Sequence, residues 1–447
     1  MAKSFDLIIK GGSVFTPAGL VDTDVGVRQG RIVAFGTLSD STADQVLPAA
    51  GLTVLPGVID SQVHFREPGL EHKEDLASGS LAAVLGGVTA FFEMPNTNPN
   101  TLDGNDLANK LERARGRAWC DHAFFIGAAE ENVDDLAELE LLPGCSGVKV
   151  FMGSSTGSLL VDDPCLLERV LRNGRRRVAI HSEDEARLRE RFDLVRDSGD
   201  PGQHPHWRDV ETAILSTKRL LGLARATGRR VHVLHISTAD ELPLLAACRD
   251  IATVEATPQH LTLTAPECYE QHGSFAQMNP PIREARHREG LWQAVTDGLV
   301  DVVGSDHAPH TREEKAATYP KTPSGIPGVQ TLLPLLLDHV HAGRLSLARL
   351  VDLTSAGVNR IFNLAGKGRI ALGYDGDFTL VDLQARQSIA ADWLASKCGW
   401  SPFEGKEIHG WPMATVIRGH VVMRDGEVLG EPLGEPVRFQ ETLPEQS

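Results

Sequence analysis

The sequence predicts a parallel (β/α)8 TIM barrel carrying a small β-sandwich domain built from both chain termini. Three observations predict it. The 447 residues are too many for one small domain and suit a large domain with a satellite. In the middle of the chain, apolar β runs alternate with helical patterns. The two ends share another texture, short β segments separated by Gly-rich turns.

Residues 1–55 supply the first part of the small domain, with the β segments "FDLIIKGGSVFTP", "DVGVRQGRIVAFG" and "GLTVLPG". Residues 56–365 form the barrel. Its eight strands are "LPGVID", "VTAFFEM", "HAFFIGA", "GVKVFMG", "RRVAIHS", "RRVHVLHIS", "ATVEAT" and "DVVGSDHAP". Amphipathic stretches such as "EDLASGSLAAVLGG" and "DVETAILSTKRLLGLARATG" lie between them and read as the covering helices. An open doubly wound sheet is disfavoured, because no GxGxxG fingerprint follows an early strand. Residues 366–447 complete the small domain with "GDFTLVDL" and "ATVIRGHVVMRDGEVL", where Asp-Gly marks a hairpin. The tail "EPVRFQETLPEQS" reads as loose.

Composition narrows the function. A net charge of -16 makes the chain a poor nucleic-acid binder, since phosphate contacts need clustered Lys and Arg. The one basic run, "RNGRRR" at 172–177, reads as a solvated face. The six cysteines show no CxxC spacing, which argues against a thiolate zinc site or a disulfide framework and fits a reducing cytoplasm. "MAKSFDLIIKGG" holds no long apolar segment, so neither a signal peptide nor a membrane partner is expected.

The chemistry lies in what terminates the strands. Strand one ends in Asp60, Gln62, His64 and Arg66, and strand two in "EMPNT" with Asn96. Strand four carries Lys149, strand five ends at His181 and strand six at His235. Strand eight leads into "SDHAPH", with Asp306 and His310. In a barrel these ends converge on one face. Taken singly, each has a structural reading: a satisfied core histidine, or an acid paired with one. His232, three residues before His235, reads as structural. Lys149 inside an apolar strand is costly as a free ammonium. It needs either a salt bridge or carboxylation by CO2, which would make it a carbamate able to bridge two cations. Three histidines, a lysine and an aspartate at barrel strand ends suit metal-assisted amide hydrolysis. Zinc takes imidazole nitrogen and carboxylate oxygen, and it acidifies water and polarises a carbonyl. Asp306 can take the water proton and return it to the leaving nitrogen.

The motifs "PGVIDSQVHFREPG", "MPNT", "GVKVFMG", "IHSED", "LHIS", "NPPIR" and "GSDHAPHTREEK", in this order, resemble those of the dihydroorotases of the cyclic amidohydrolase superfamily. The resemblance runs from about residue 6 to about residue 430. It implies reversible ring closure of N-carbamoyl-L-aspartate to L-dihydroorotate, with one or two zinc ions. It implies that Lys149 is the carboxylated bridging lysine, that His181 and His235 hold one metal, and that His64 and Asp306 hold the other. Arg66, Asn96 and His310 match residues that hold a substrate carboxylate, which suits the bidentate guanidinium fork. Asn279 and the backbone of "SGIPG" (324–328) match positions near the pyrimidine ring, or are simply turns set by Pro and Gly. Residues 153–158, "GSSTGS", are a candidate for the loop that closes over substrate. A homodimer and an association with aspartate transcarbamoylase are also implied.

Three positions depart from the pattern. Gln62 stands where the family has the first histidine of His-x-His, so this ligand is weak or absent. Gln330 replaces a common Glu, and Gln259 a common His. Two other readings follow. An allantoinase or hydantoinase-like enzyme has no need for Arg66 and His310 as carboxylate binders. A non-catalytic partner of aspartate transcarbamoylase would explain a lost ligand, but not the survival of the others.

Overall fold

The computed structural model describes residues 4–155 and 158–443. Eight parallel strands form the barrel, and each begins where the apolar β runs predict. They are β1 (Val58–Val63), β2 (Val88–Glu93), β3 (Asp121–Gly127), β4 (Cys145–Phe151), β5 (Val178–His181), β6 (Val231–Val233), β7 (Ala252–Ala256) and β8 (Val302–Val303). They lie side by side in sequence order, as successive β/α units require. The ring is closed beyond β8. Val63 bridges to His307, the His64 amide donates to the His307 carbonyl at 2.7 Å, and Ser305 N–H donates to the buried Asp60 carboxylate at 3.0 Å.

Period-2 alternation separates two cores. On β2, Ala90 and Phe92 point into the barrel while Phe91 points out to the helices. Inward residues Ile59, Ala123, Phe125, Ala179 and Val302 join them, and Phe362 packs edge-on against Phe92 to plug the lower end. The covering helices start on side-chain caps. Asp75, Asp103, Asp163 and Asp209 each accept a backbone N–H from the first turn of the helix that follows.

The small domain is a nine-stranded mixed sheet drawn from both chain ends. Strand Thr53–Pro56 runs antiparallel to Phe378–Ser388 and joins the two parts. Its core, including Leu7, Val14, Val27, Val54, Phe378 and Val416, comes almost entirely from strands, so the sheet folds over on itself. The sandwich is therefore one continuous hydrogen-bonded sheet.

The tail differs from expectation. Residues 436–439 are not loose: Pro436 bridges to His122 on β3, and Val437 and Phe439 are buried in the barrel's inner core. Two apolar side chains in a polar stretch carry no periodic signal, and only the open lower end of the barrel explains their burial. Residues 444–447 lie outside the described residues. Among the described residues no helix is long and apolar enough to cross a membrane.

Candidate active site at the C-terminal end of the barrel

The C-terminal ends of the strands surround a cavity of about 340 Å³. Gln62, His64, Arg66, Asn96, Lys149, His181, His235, Asn279 and Asp306 all line it, with Phe151, Ser155, Ala308, Ser324 and Gly325. Of the predicted metal and substrate ligands, only His310 lies back from the cavity surface, fully buried beside Arg66.

The backbone is strained where it delivers these groups. Arg66, His235 and Asp306 adopt φ of 65°, 35° and 45°, conformations that side-chain-bearing residues rarely take. Each sits just past a strand end, where the chain must turn sharply to aim a side chain into the mouth. Gly325 approaches for the opposite reason: a Cβ there would lie 2.2 Å from the Ala308 carbonyl.

His181 and His235 form one cluster. The Glu183 carboxylate lies 3.0 Å from His181 Nε2 and accepts its N–H, which leaves Nδ1 of the neutral ring bare. That Nδ1 lies 3.1 Å from His235 Nε2. Two nitrogens bound to one tetrahedral zinc at about 2.0 Å stand roughly 3.3 Å apart, so the spacing suits two ligands of one metal. Burial holds the His235 imidazole well below its ordinary pKa, and His181 and Lys149 push it the same way. Burial also lowers His181, against the pull of Glu183. Neutral imidazoles are the form a metal requires. Burial raises the Glu183 carboxyl, but Arg208, whose Nε lies 3.0 Å away, outweighs it and keeps it ionised.

His64 and Asp306 form the second cluster. His64 Nδ1 lies 2.8 Å from Asn96 Oδ1 and must donate there. Its Nε2 is then bare and faces Asp306 Oδ1 at 3.2 Å, one lone pair against another. Burial lowers the His64 pKa, so a proton does not relieve the clash. A shared cation would. Gln62 Nε2 donates to the same Asp306 oxygen at 3.1 Å, and Gln62 Oε1 is left buried without a partner.

Lys149 stands between the clusters. Its ammonium lies 4.4 Å from the Phe151 ring centre, and Nζ has no hydrogen-bond partner among the described residues. The salt bridge that would have made it structural is not there. Burial pulls its pKa down to about 7, so a large fraction is the neutral amine that reacts with CO2. Among the described residues no three His, Cys, Asp or Glu side chains form a complete metal-ligand set. The donors fit a metal only once Lys149 contributes oxygen as a carbamate.

Arg66 faces the opposite wall. Its Nε donates to the Pro309 carbonyl at 3.1 Å, and Nη2 lies 3.2 Å from His310 Nε2. Nη1 is buried and unpartnered among the described residues. His310 is itself braced by Lys73 Nζ at 3.1 Å. Asn279 Oδ1 is held by His204 at 2.9 Å, and Asn279 Nδ2 reaches Ser155 Oγ at 3.4 Å. Ser155 belongs to the 153–158 stretch, of which residues 156 and 157 lie outside the described residues.

Several residues around the site escaped the sequence reading. Glu183 lay within "IHSED", two residues past His181, and the offset alone could have marked it. Arg208 carried no signal. Glu255 on β7 lies inside the barrel, accepts from Ser61 Oγ at 3.0 Å, and is pushed up to about 8 by burial. His232 lies 3.6 Å from Glu255 and hydrogen-bonds Thr253 at 2.9 Å within the barrel wall, in keeping with its structural reading.

Comparison with known proteins agrees with this geometry. Residues 51–145 match the Dihydro-orotase-like family and residues 209–422 the Amidohydrolase family. A dihydroorotase of Halobacterium salinarum is 38% identical over 93% of this chain and 96% of its own length. An allantoinase of Desulfitobacterium hafniense is 32% identical over 97% of this chain and 99% of its own. Among solved structures, the L-hydantoinase of Arthrobacter aurescens superposes with a TM-score of 0.92 at 28% identity, covering 97% of this chain and 99% of that one. The chain belongs to the dihydroorotase-like branch of the amidohydrolase family and is a metal-dependent cyclic amidohydrolase.

Proposed function

We propose that this chain catalyses the reversible hydrolysis of L-dihydroorotate to N-carbamoyl-L-aspartate, a step of pyrimidine synthesis. One observation carries the reading: three buried polar atoms without partners among the described residues belong to side chains that line a single cavity. They are Lys149 Nζ, Gln62 Oε1 and, on the opposite wall, Arg66 Nη1. Unmet polar groups are expensive when buried, so the site is built for what fills it. The first two suit a metal centre, and the third suits a substrate carboxylate, which hydantoins lack.

His181, His235 and Lys149, once carboxylated, would hold one zinc. His64, Asp306 and the same side chain would hold a second more weakly, with Gln62 as a poor ligand. Bound metal supplies Lewis acidity at the scissile carbonyl and acidifies the attacking water. Asp306 accepts the water proton and hands it to the ring nitrogen as the amide bond breaks. Glu183 keeps the His181 ring oriented. Arg66 binds the substrate carboxylate with Asn96, backed by His310, and Asn279 meets the ring. The family relationship supports extending the reading to a cytoplasmic homodimer that associates with aspartate transcarbamoylase.

The test follows the absorbance of dihydroorotate on adding purified protein supplied with zinc and bicarbonate. Turnover is expected, and Asp306→Ala should lower it by roughly a hundredfold to ten-thousandfold. No turnover by the unaltered protein would sink the proposal. Activity on allantoin or a hydantoin would then identify a related amidase, and inactivity on all three a non-catalytic partner.

A further inference from the structure

The basic run at 172–177 is not simply a solvated face. At the lower end of the barrel, opposite the active site, a polar chamber of about 560 Å³ opens among the strand starts. Arg177 precedes β5, Arg230 precedes β6, and Ser146 opens β4. Arg360 and Asn363 come from the chain after helix Gly357–Phe362 begins, and Glu441 from the tail. The arginines of this region divide into two kinds. Arg176 and Arg229 are spent on structure: Arg176 donates to the carbonyls of Glu140 and Cys145, and Arg229 pairs with the Glu140 carboxylate at 2.6 Å. Arg177 and Arg230 make no ion pair among the described residues; Arg177 gives Nη1 to the Val231 carbonyl at 3.0 Å, and its Nε is buried without a partner. Arg360 adds a third guanidinium, held by Asp352 at 3.0 Å.

Two more atoms in the chamber are unmatched. Ser146 is 1% exposed and its Oγ has no partner among the described residues. Glu441 Oε2 is likewise buried and unpartnered. Guanidinium groups call for an anion, and a carboxylate oxygen calls for a donor. A bare anion would satisfy the first and repel the second. A molecule with a phosphate at one end and hydroxyls at the other satisfies both.

We propose that this chamber is a second ligand site, for a small sugar phosphate whose phosphate meets Arg177, Arg230 and Arg360 and whose hydroxyls meet Glu441 and Ser146. β5 runs from this chamber to the catalytic end: Arg177 immediately precedes it and His181 ends it, four positions on, roughly 13 Å away.

The experiment is titration calorimetry on the intact, metal-supplied protein, with ribose 5-phosphate, inorganic phosphate and ribose as probes. Ribose 5-phosphate should bind saturably, one per chain, more tightly than phosphate, with ribose giving no saturable heat. Arg230→Gln should weaken it roughly tenfold or more. Arg230 is exposed and makes no bond that the fold depends on, so this variant should keep its melting temperature and its amidohydrolase activity. Arg177→Gln is the second variant, and should weaken binding likewise. Absence of saturable binding, or affinity unchanged in both variants, overturns the proposal. Equal affinity for phosphate and ribose 5-phosphate overturns the role given to Glu441 and Ser146.

Discussion

At the scale of single residues, Gln62 decides how the site is loaded. A neutral amide oxygen is a weak ligand beside imidazole. Gln62 also spends an amide hydrogen on Asp306 Oδ1, an oxygen that the proposed second metal would use. Exhaustive dialysis followed by metal analysis should therefore leave one tightly held ion per chain. Gln62→His should retain a second. Two equally tight ions in the unaltered protein would refute the ranking. At the other wall, Arg66→Met removes the unpartnered Nη1 and the fork it belongs to. The expected result is a KM for dihydroorotate raised by tenfold or more, on the order of 2 kcal/mol, with a smaller change in kcat. An unchanged KM would show that the substrate carboxylate sits elsewhere. Most of these residues were legible in the sequence because strand ends in a barrel share one face. Lys149 stood out as a lysine within an apolar strand. Arg208 did not, because its pairing with Glu183 joins distant loops that no local pattern links.

At the scale of elements, helix Val210–Thr227 shows how local signals place a functional strand. Asp209 caps it by accepting from Thr212 N–H at 3.0 Å, and Gly228 ends it at φ 71°. Burial raises the Asp209 carboxyl, but Arg187 and Thr212 outweigh it and hold it at about 2. A depressed carboxyl stabilises the fold above its unfolded pKa, and that contribution disappears as pH falls through the folded value. Asp209→Ala should therefore lower stability by about 1–2 kcal/mol at neutral pH, and the difference from the unaltered protein should vanish between pH 4 and pH 2. Thermal melts across that range would check it, and a constant difference would contradict it. Strand and helix positions were readable from period and caps. The fate of the tail was not, since Val437 and Phe439 acquire meaning only beneath a closed barrel.

At the scale of the whole molecule, one buried ammonium ties the small domain to the barrel. Lys367 Nζ lies 2.6 Å from Asp121 at the start of β3 and 2.6 Å from Asp377 at the edge of the small sheet, with Asp375 at 3.3 Å. Burial opposes its charge, but the three carboxylates outweigh burial and raise its pKa. A raised lysine keeps its contribution at every pH below its ordinary value, so the tie holds through the neutral range. Lys367→Met would leave carboxylates buried together, and should cost about 3–5 kcal/mol of stability, read as a lower melting temperature. A loss below 1 kcal/mol would mean the carboxylates take up protons or water at little cost. This network was not visible in the sequence, because Asp121 lies 246 positions from Lys367 and no local pattern marks the nearer Asp375 and Asp377 as its partners.

The burial of Phe439 beneath the strands also bears on the order of folding. A ribosome delivers β1 to β8 well before it delivers the side chain that fills their lower end. Domains generally fold as they emerge, at about 5–20 residues per second. The lower end, where Phe362 already packs on Phe92, lacks its Phe439 contact until several seconds after β8 is made. During that interval the lower end is open to chaperones and to premature association, and the burial of Val437 and Phe439 is a late step of assembly.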